Sequence, residues 1–133
     1  MTKKMYRKSA LQQYSNIDIE TKTSTYSPEE LISLLFDKVC LLVRQSTDSL
    51  VAGEKEGFDE TSTRAMQIVL ALRGVLNMEE GGEVAKNLYE TYTSIAASMF
   101  KAKREENVAS FEKLYEALSE LREAWKTVYG QQS

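Results

Sequence analysis

The segment S-P-E-E-L-I-S-L-L-F-D-K-V-C-L-L-V, from Ser27 to Val43, reads as a helix with more apolar surface than one neighbour can cover. Ser27 is placed to cap it, Pro28 fits the first helical position with its fixed φ, and Glu30 completes a capping box. Glu29 and Glu30 lie where the helix dipole favours negative charge. Between Leu31 and Val43, ten of thirteen residues are apolar: Leu31, Ile32, Leu34, Leu35, Phe36, Val39, Cys40, Leu41, Leu42 and Val43. A helix packed on one side needs an apolar stripe of about 100°. Leu31, Leu34, Leu35 and Leu42 supply it, with Leu41 at its margin. Ile32, Phe36, Val39 and Val43 make a second stripe about one residue further round, and something else must cover it.

The whole chain has 133 residues, which implies one domain with a real hydrophobic core. Cys40 is the single cysteine, so no intramolecular disulfide forms, and its apolar setting reads as a small core residue in a reducing compartment. Histidine is absent, which removes Ser-His-Asp and Cys-His catalysis and histidine metal sites. No cofactor or metal site is expected. A net charge of −3 and a pI near 5.1 argue against nucleic acid as a main partner. No apolar run approaches the roughly 18 residues of a membrane span, so no direct membrane insertion is expected. The basic start, M-T-K-K-M-Y-R-K, has no apolar continuation and does not read as a secretory signal.

Residues 1–26 differ from the rest. Lys3, Lys4, Arg7 and Lys8 precede any acid, Ser and Thr crowd the later part, and no helical period is sustained. Apolar anchors recur at Met5, Tyr6, Leu11, Tyr14, Ile17 and Ile19. The segment reads as an arm able to dock on an apolar surface, or as a frayed tail. Extended, Tyr14 to Pro28 reaches about 45 Å, and a helix from Pro28 to Val51 is about 36 Å long. The arm therefore has the reach to cover the surplus stripe.

Beyond Val51, Gly53 to Asp59 reads as a polar connection, with Asp59 or Thr61 capping a second helix. That helix carries Ala65, Ile68, Val69, Leu72, Val75 and Leu76 at helical spacing. Gly74 within it suggests a close helix contact or a kink. Gly81-Gly82 lacks any phosphate-loop sequel and reads as a tight turn. The third helix carries Val84, Leu88, Tyr92, Ile95, Met99 and Ala102, with Tyr89 and Phe100 widening its apolar surface. Asn107 is placed to cap a fourth helix, whose stripe runs Val108, Phe111, Leu114, Leu118, Leu121, Trp125 and Val128. Helices over about 28–52, 60–79, 82–103 and 108–129 with short links predict an all-α, antiparallel up-down-up-down four-helix bundle over residues 27–130, preceded by the N-terminal arm.

In several ordered pieces the chain resembles the flagellar secretion chaperone family FliS. The pieces are Tyr14, Ile19 and Ser27 to Ile32, leading into Leu35-Phe36-Asp37; Arg64-Ala65 with Ile68-Val69 and Leu72; Leu76-Asn77 and Glu79, followed by Gly81-Gly82-Glu83-Val84-Ala85, Asn87-Leu88 and Tyr92; and Leu121 to Trp125. The family usually has Tyr-Asp-Gly where this chain has Phe36-Asp37-Lys38, and Ala-Asn where it has Ala102-Lys103. The resemblance implies a cytoplasmic chaperone, not an enzyme. Such a chaperone binds the disordered C-terminal segment of flagellin, prevents its premature polymerisation and helps deliver it to the type III export apparatus through the membrane component FlhA. It also implies that the arm lies over part of the client surface while no client is bound.

The residues suggest where a client would lie. Ile32, Phe36, Val39 and Val43 would floor a groove for an amphipathic segment, flanked by Tyr89, Met99 and Phe100. Tyr6, Tyr14, Ile17 and Ile19 would form a displaceable arm and contact the export gate. The same stripe also reads as part of a wide core or as a homodimer interface through the first helix. Two further classes fit poorly. A carboxylate metal enzyme lacks histidine and inward-facing acids. A membrane-surface role for the arm lacks an amphipathic period.

Overall fold

Ser27 starts the first helix as its sequence requires. In a computed structural model of the chain, which describes residues 5–7 and 26–132, α1 spans Pro28–Ala52. The Glu30 amide donates to Ser27 Oγ and the Ser27 amide to Glu30 Oε1, each at 3.1 Å, closing the capping box. Gly53 ends the helix at φ +75°, a left-handed conformation that favours glycine. Its amide and that of Glu54 satisfy the carbonyls of Leu50 and Ser49.

α2 (Lys55–Gly74) then begins at once, without a side-chain cap. The polar connection expected over Gly53 to Asp59 is mostly helix, and neither Asp59 nor Thr61 caps it. Phe58 supplies the reason: it is buried in the core and meets the Phe111 ring edge-on at 5.3 Å, which draws the segment into helical register. Thr61 instead bonds Ser46 Oγ at 2.8 Å and ties α2 to α1. Gly74 is the exposed last residue of α2 and so marks no mid-helix kink.

α3 (Met78–Glu105) starts before the glycine pair, because Asn77 caps it by accepting the Glu80 amide at 3.1 Å. Gly82, at φ 57° and ψ −137°, interrupts the helix after one turn, so the predicted tight turn is a break inside α3. A side chain at that conformation is strained. Gly82→Ala is expected to lower the unfolding free energy by about 1–3 kcal/mol, seen as a lower urea midpoint at unchanged slope. A parental midpoint would show that the break accepts a Cβ. At the other end of α3, Lys103 Nζ reaches Ser62 Oγ at 2.8 Å and the Asp59 carbonyl at 3.0 Å, fastening α3 to the start of α2. Asn107 caps α4 (Val108–Gln132) through the Ser110 amide.

The helices form an antiparallel up-down-up-down bundle in which α1 packs on α2 and α4, α2 on α3, and α3 more sparsely on α4. Two neighbours explain the apolar surplus of α1. Its buried residues Leu31, Ile32, Leu35, Phe36, Val39, Cys40, Leu42, Val43 and Ser46 span about half its circumference at 100° per residue. On one flank Trp125 Nε1 donates to Ser33 Oγ at 2.9 Å, Lys126 pairs with Asp37 at 2.9 Å, and Arg44 lies 4.6 Å above the Tyr115 ring. These contacts seat α4, while Ser46 and Thr61 seat α2 on the other flank. Ile32, Phe36, Val39 and Val43 are 0–2% exposed. They belong to the core and floor no open groove in this state.

Candidate functional site

The end of the bundle where α1 and α3 begin and α2 and α4 finish carries the described part of the arm. Tyr6 forms an antiparallel bridge with Leu76 in the short α2–α3 link. The Arg7 amide donates to the Val75 carbonyl at 2.7 Å, and the Asn77 amide donates to the Met5 carbonyl. The pairing adds one extended residue step to the link, the geometry by which peptides add to an exposed strand edge. Alternation then sends the Tyr6 side chain inward. It is 6% exposed, and its hydroxyl lies 2.7 Å from that of Tyr92, which is fully buried on α3. The Tyr6 ring meets Trp125 edge-on at 5.7 Å, and Trp125 stacks on Tyr129 at 6.3 Å.

Gly81 lies beside the arm, but it is Ala85 of its own helix that leaves no room for a side chain there. A Cβ there would stand 3.4 Å from Met5 Cα and 2.5 Å from Ala85 Cβ. The glycine is thus required sterically, inside the first turn of α3.

Burial pushes the Tyr6 hydroxyl up to about 12, opposed in part by its bond to Tyr92. Burial, and then Tyr6 itself, raise Tyr92 as well. Both groups are acids held neutral in the docked state. Docking is therefore unaffected below the free tyrosine value of about 10 and weakens as pH rises from there toward about 12. Tyrosinate absorbance is expected to show two of the seven tyrosines ionising later than the rest, together with loss of the native Met5 methyl resonance. All seven ionising together, with the Met5 resonance unchanged, would contradict this.

A second feature runs along the side. Between α3 and α4 lie two open hollows of about 570 and 770 Å³ that share Ser94, Ile95 and Ala117 and so form one trough. Small side chains (Ser94, Ser98, Ala117, Ala124) keep it open. From Asn87 to Glu105 it follows α3 for about 27 Å. Near the arm, Val84 and Val128 continue the same helix faces and are 55% and 45% exposed.

The structure separates the residues singled out from sequence. Ile32, Phe36, Val39, Val43 and Met99 are core. Tyr89 and Phe100 are exposed on the α2-facing flank of α3, under the guanidinium groups of Arg73 and Arg104 at 5.3 and 5.8 Å. Tyr6 is docked, whereas Tyr14, Ile17 and Ile19 lie outside the described residues. Sequence reasoning missed the roles of Tyr92, Trp125 and Gly81. One signal was available: a tyrosine on a core stripe carries a hydroxyl that needs a buried partner. Among the described residues no cluster of His, Cys, Asp or Glu is placed to hold a metal ion, and no helix is long and apolar enough to cross a membrane.

Comparison with known proteins adds a family. The sequence profile of a family described as "Flagellar protein FliS" matches residues 10–132. The chain is 29% identical over 125 residues to the flagellar secretion chaperone FliS of Salmonella typhimurium, covering 93% of each chain. It is 28% identical to the flagellar secretion chaperone FliSB of Pseudomonas aeruginosa, over 91% of this chain and 96% of that one. With FliS of Escherichia coli it shares 24% identity over 92% and 90% of the two chains.

Proposed function

The chain belongs to the FliS family of flagellar proteins, and on that premise we propose that it is an export chaperone for flagellin. It binds the C-terminal segment of flagellin in the bacterial cytosol, keeps it from polymerising and helps deliver it to the type III export apparatus. The observation that supports this reading is the docked arm: Met5 to Arg7 occupy the bundle end as a self-ligand, held by two backbone bonds and one buried side chain. An incoming segment that makes equivalent contacts exchanges with it.

The client follows the α3–α4 trough, whose small side chains admit the apolar face of a helix, and enters the arm's slot next to Val84 and Val128. Tyr89 and Phe100 offer a second exposed flank. Ile32, Phe36, Val39, Val43 and Met99 support both from beneath. Once displaced, Tyr6, with Tyr14, Ile17 and Ile19, becomes available to the export component FlhA. The homodimer reading loses its motive, because the α1 stripe that prompted it is covered within the same chain.

Isothermal titration with a peptide of the flagellin C-terminal segment tests the proposal. Tight binding with a large negative heat-capacity change is expected, since coupled folding buries extensive apolar surface. Folded protein that takes up no peptide would overturn it.

A further inference from the structure

The slot that holds the arm distinguishes tyrosine from phenylalanine. Its backbone pairing across Leu76 carries no side-chain information, so whatever selects the occupant must act on the residue pointing inward. Two contacts do so. Trp125 meets the ring of Tyr6 in a T-shaped contact at 5.7 Å, and any aromatic ring satisfies that. The Tyr92 hydroxyl at 2.7 Å asks for more. Tyr92 is fully buried, and its bond to Tyr6 is the one hydrogen bond found for either hydroxyl among the described residues. A ring without a polar tip would leave that hydroxyl dry and unpaired.

We propose that the Tyr92 hydroxyl is the specificity-determining group of this end slot. The slot takes an extended segment whose central residue carries an aromatic ring with a hydrogen-bonding tip, and the Tyr6–Tyr92 pair sets how firmly the arm is latched. The slot itself stands on the free protein. Its consequence for client binding rests on the chaperone reading above.

The asymmetry of buried hydrogen bonds supplies a test. Removing one partner strands the other at full desolvation cost, whereas removing both is nearly neutral. Three full-length variants separate these cases: Tyr6→Phe, Tyr92→Phe and the double variant. The Arg7 amide, donor to the Val75 carbonyl, reports latch opening by hydrogen exchange, and the Val39 amide in the core of α1 reports global unfolding. Each single variant is expected to lower Arg7 protection by roughly 5-fold or more relative to Val39, down to complete loss where the latch stays open, and the double variant to recover most of it. Unchanged protection in the single variants, or losses that add in the double, would overturn the proposal. Titration with the flagellin C-terminal peptide tests the coupling: apparent affinity rises in Tyr6→Phe, where the arm alone loses the bond and the Tyr92 hydroxyl still receives the client, and does not rise in Tyr92→Phe or the double variant, where the slot has lost it. An exchange pattern as expected with client affinity that ignores it would refute the link to the client, while peptide that binds none of the four proteins would refute the chaperone reading instead.

Discussion

Phe36→Asp is expected to prevent the bundle from folding. Phe36 is 2% exposed in the middle of α1, between α2 and α4. Losing a buried phenylalanine costs about 3–5 kcal/mol, and an unpaired carboxylate in the same place adds several more. A domain of this size has about 5–15 kcal/mol in total. The variant's circular dichroism is expected to lose its helical signal, or its urea midpoint to fall near zero. The outcome bears directly on function. If Phe36 floored an open client groove, the variant would fold at the parental midpoint and lose only peptide binding, which would return the client site to α1.

Removing Met1 to Arg7 is expected to strengthen client binding about 10- to 100-fold. The size follows from how marginal the latch is. Burying Tyr6 gains about 1.5–3 kcal/mol, and three hydrogen bonds add about 0.5–1.5 kcal/mol each. Ordering three residues costs about 1–2 kcal/mol apiece. The balance lies within a few kcal/mol of zero, and the docked arm seen here corresponds to its favourable side, where a margin of about 1.4–2.7 kcal/mol leaves the slot open for roughly 1–10% of the time. A client that needs the open slot binds with its affinity reduced by that fraction, and truncation lifts the reduction. The gain should fall mainly on the association rate, because it reflects how often the slot is ready. Stopped-flow mixing with the flagellin C-terminal peptide, with circular dichroism to confirm the fold, measures it. An association rate equal to that of the full-length protein would show that the client never competes with the arm.

Local signals were legible where their chemistry is local. The capping box at Ser27, the glycine stop at Gly53 and the Asn107 cap each involve residues within about four positions, and they stand in the structure as the sequence requires. The start of α2 was misread because Phe58 lies in a stretch otherwise rich in glycine and charge. Its core contact with Phe111 is 53 residues away in sequence and outweighs local polarity. The α1 residues expected to floor an open groove are buried for a related reason. Counting apolar residues on α1 shows an excess, but the count is the same whether a client, a second copy or another helix of the chain covers it.

The sequence by itself determined the number and order of the helices, their antiparallel course and the resemblance to a family of flagellar chaperones, because caps, helical period and short links act over a few residues. The tertiary structure alone decided that α1 is flanked by two helices, that Tyr6 seats on Tyr92 across 86 positions, and that an open trough lies between α3 and α4. Those outcomes depend on which faces meet when four helices close into a ring. Burial is a property of that closure and of distant partners, so no window along the chain contains it.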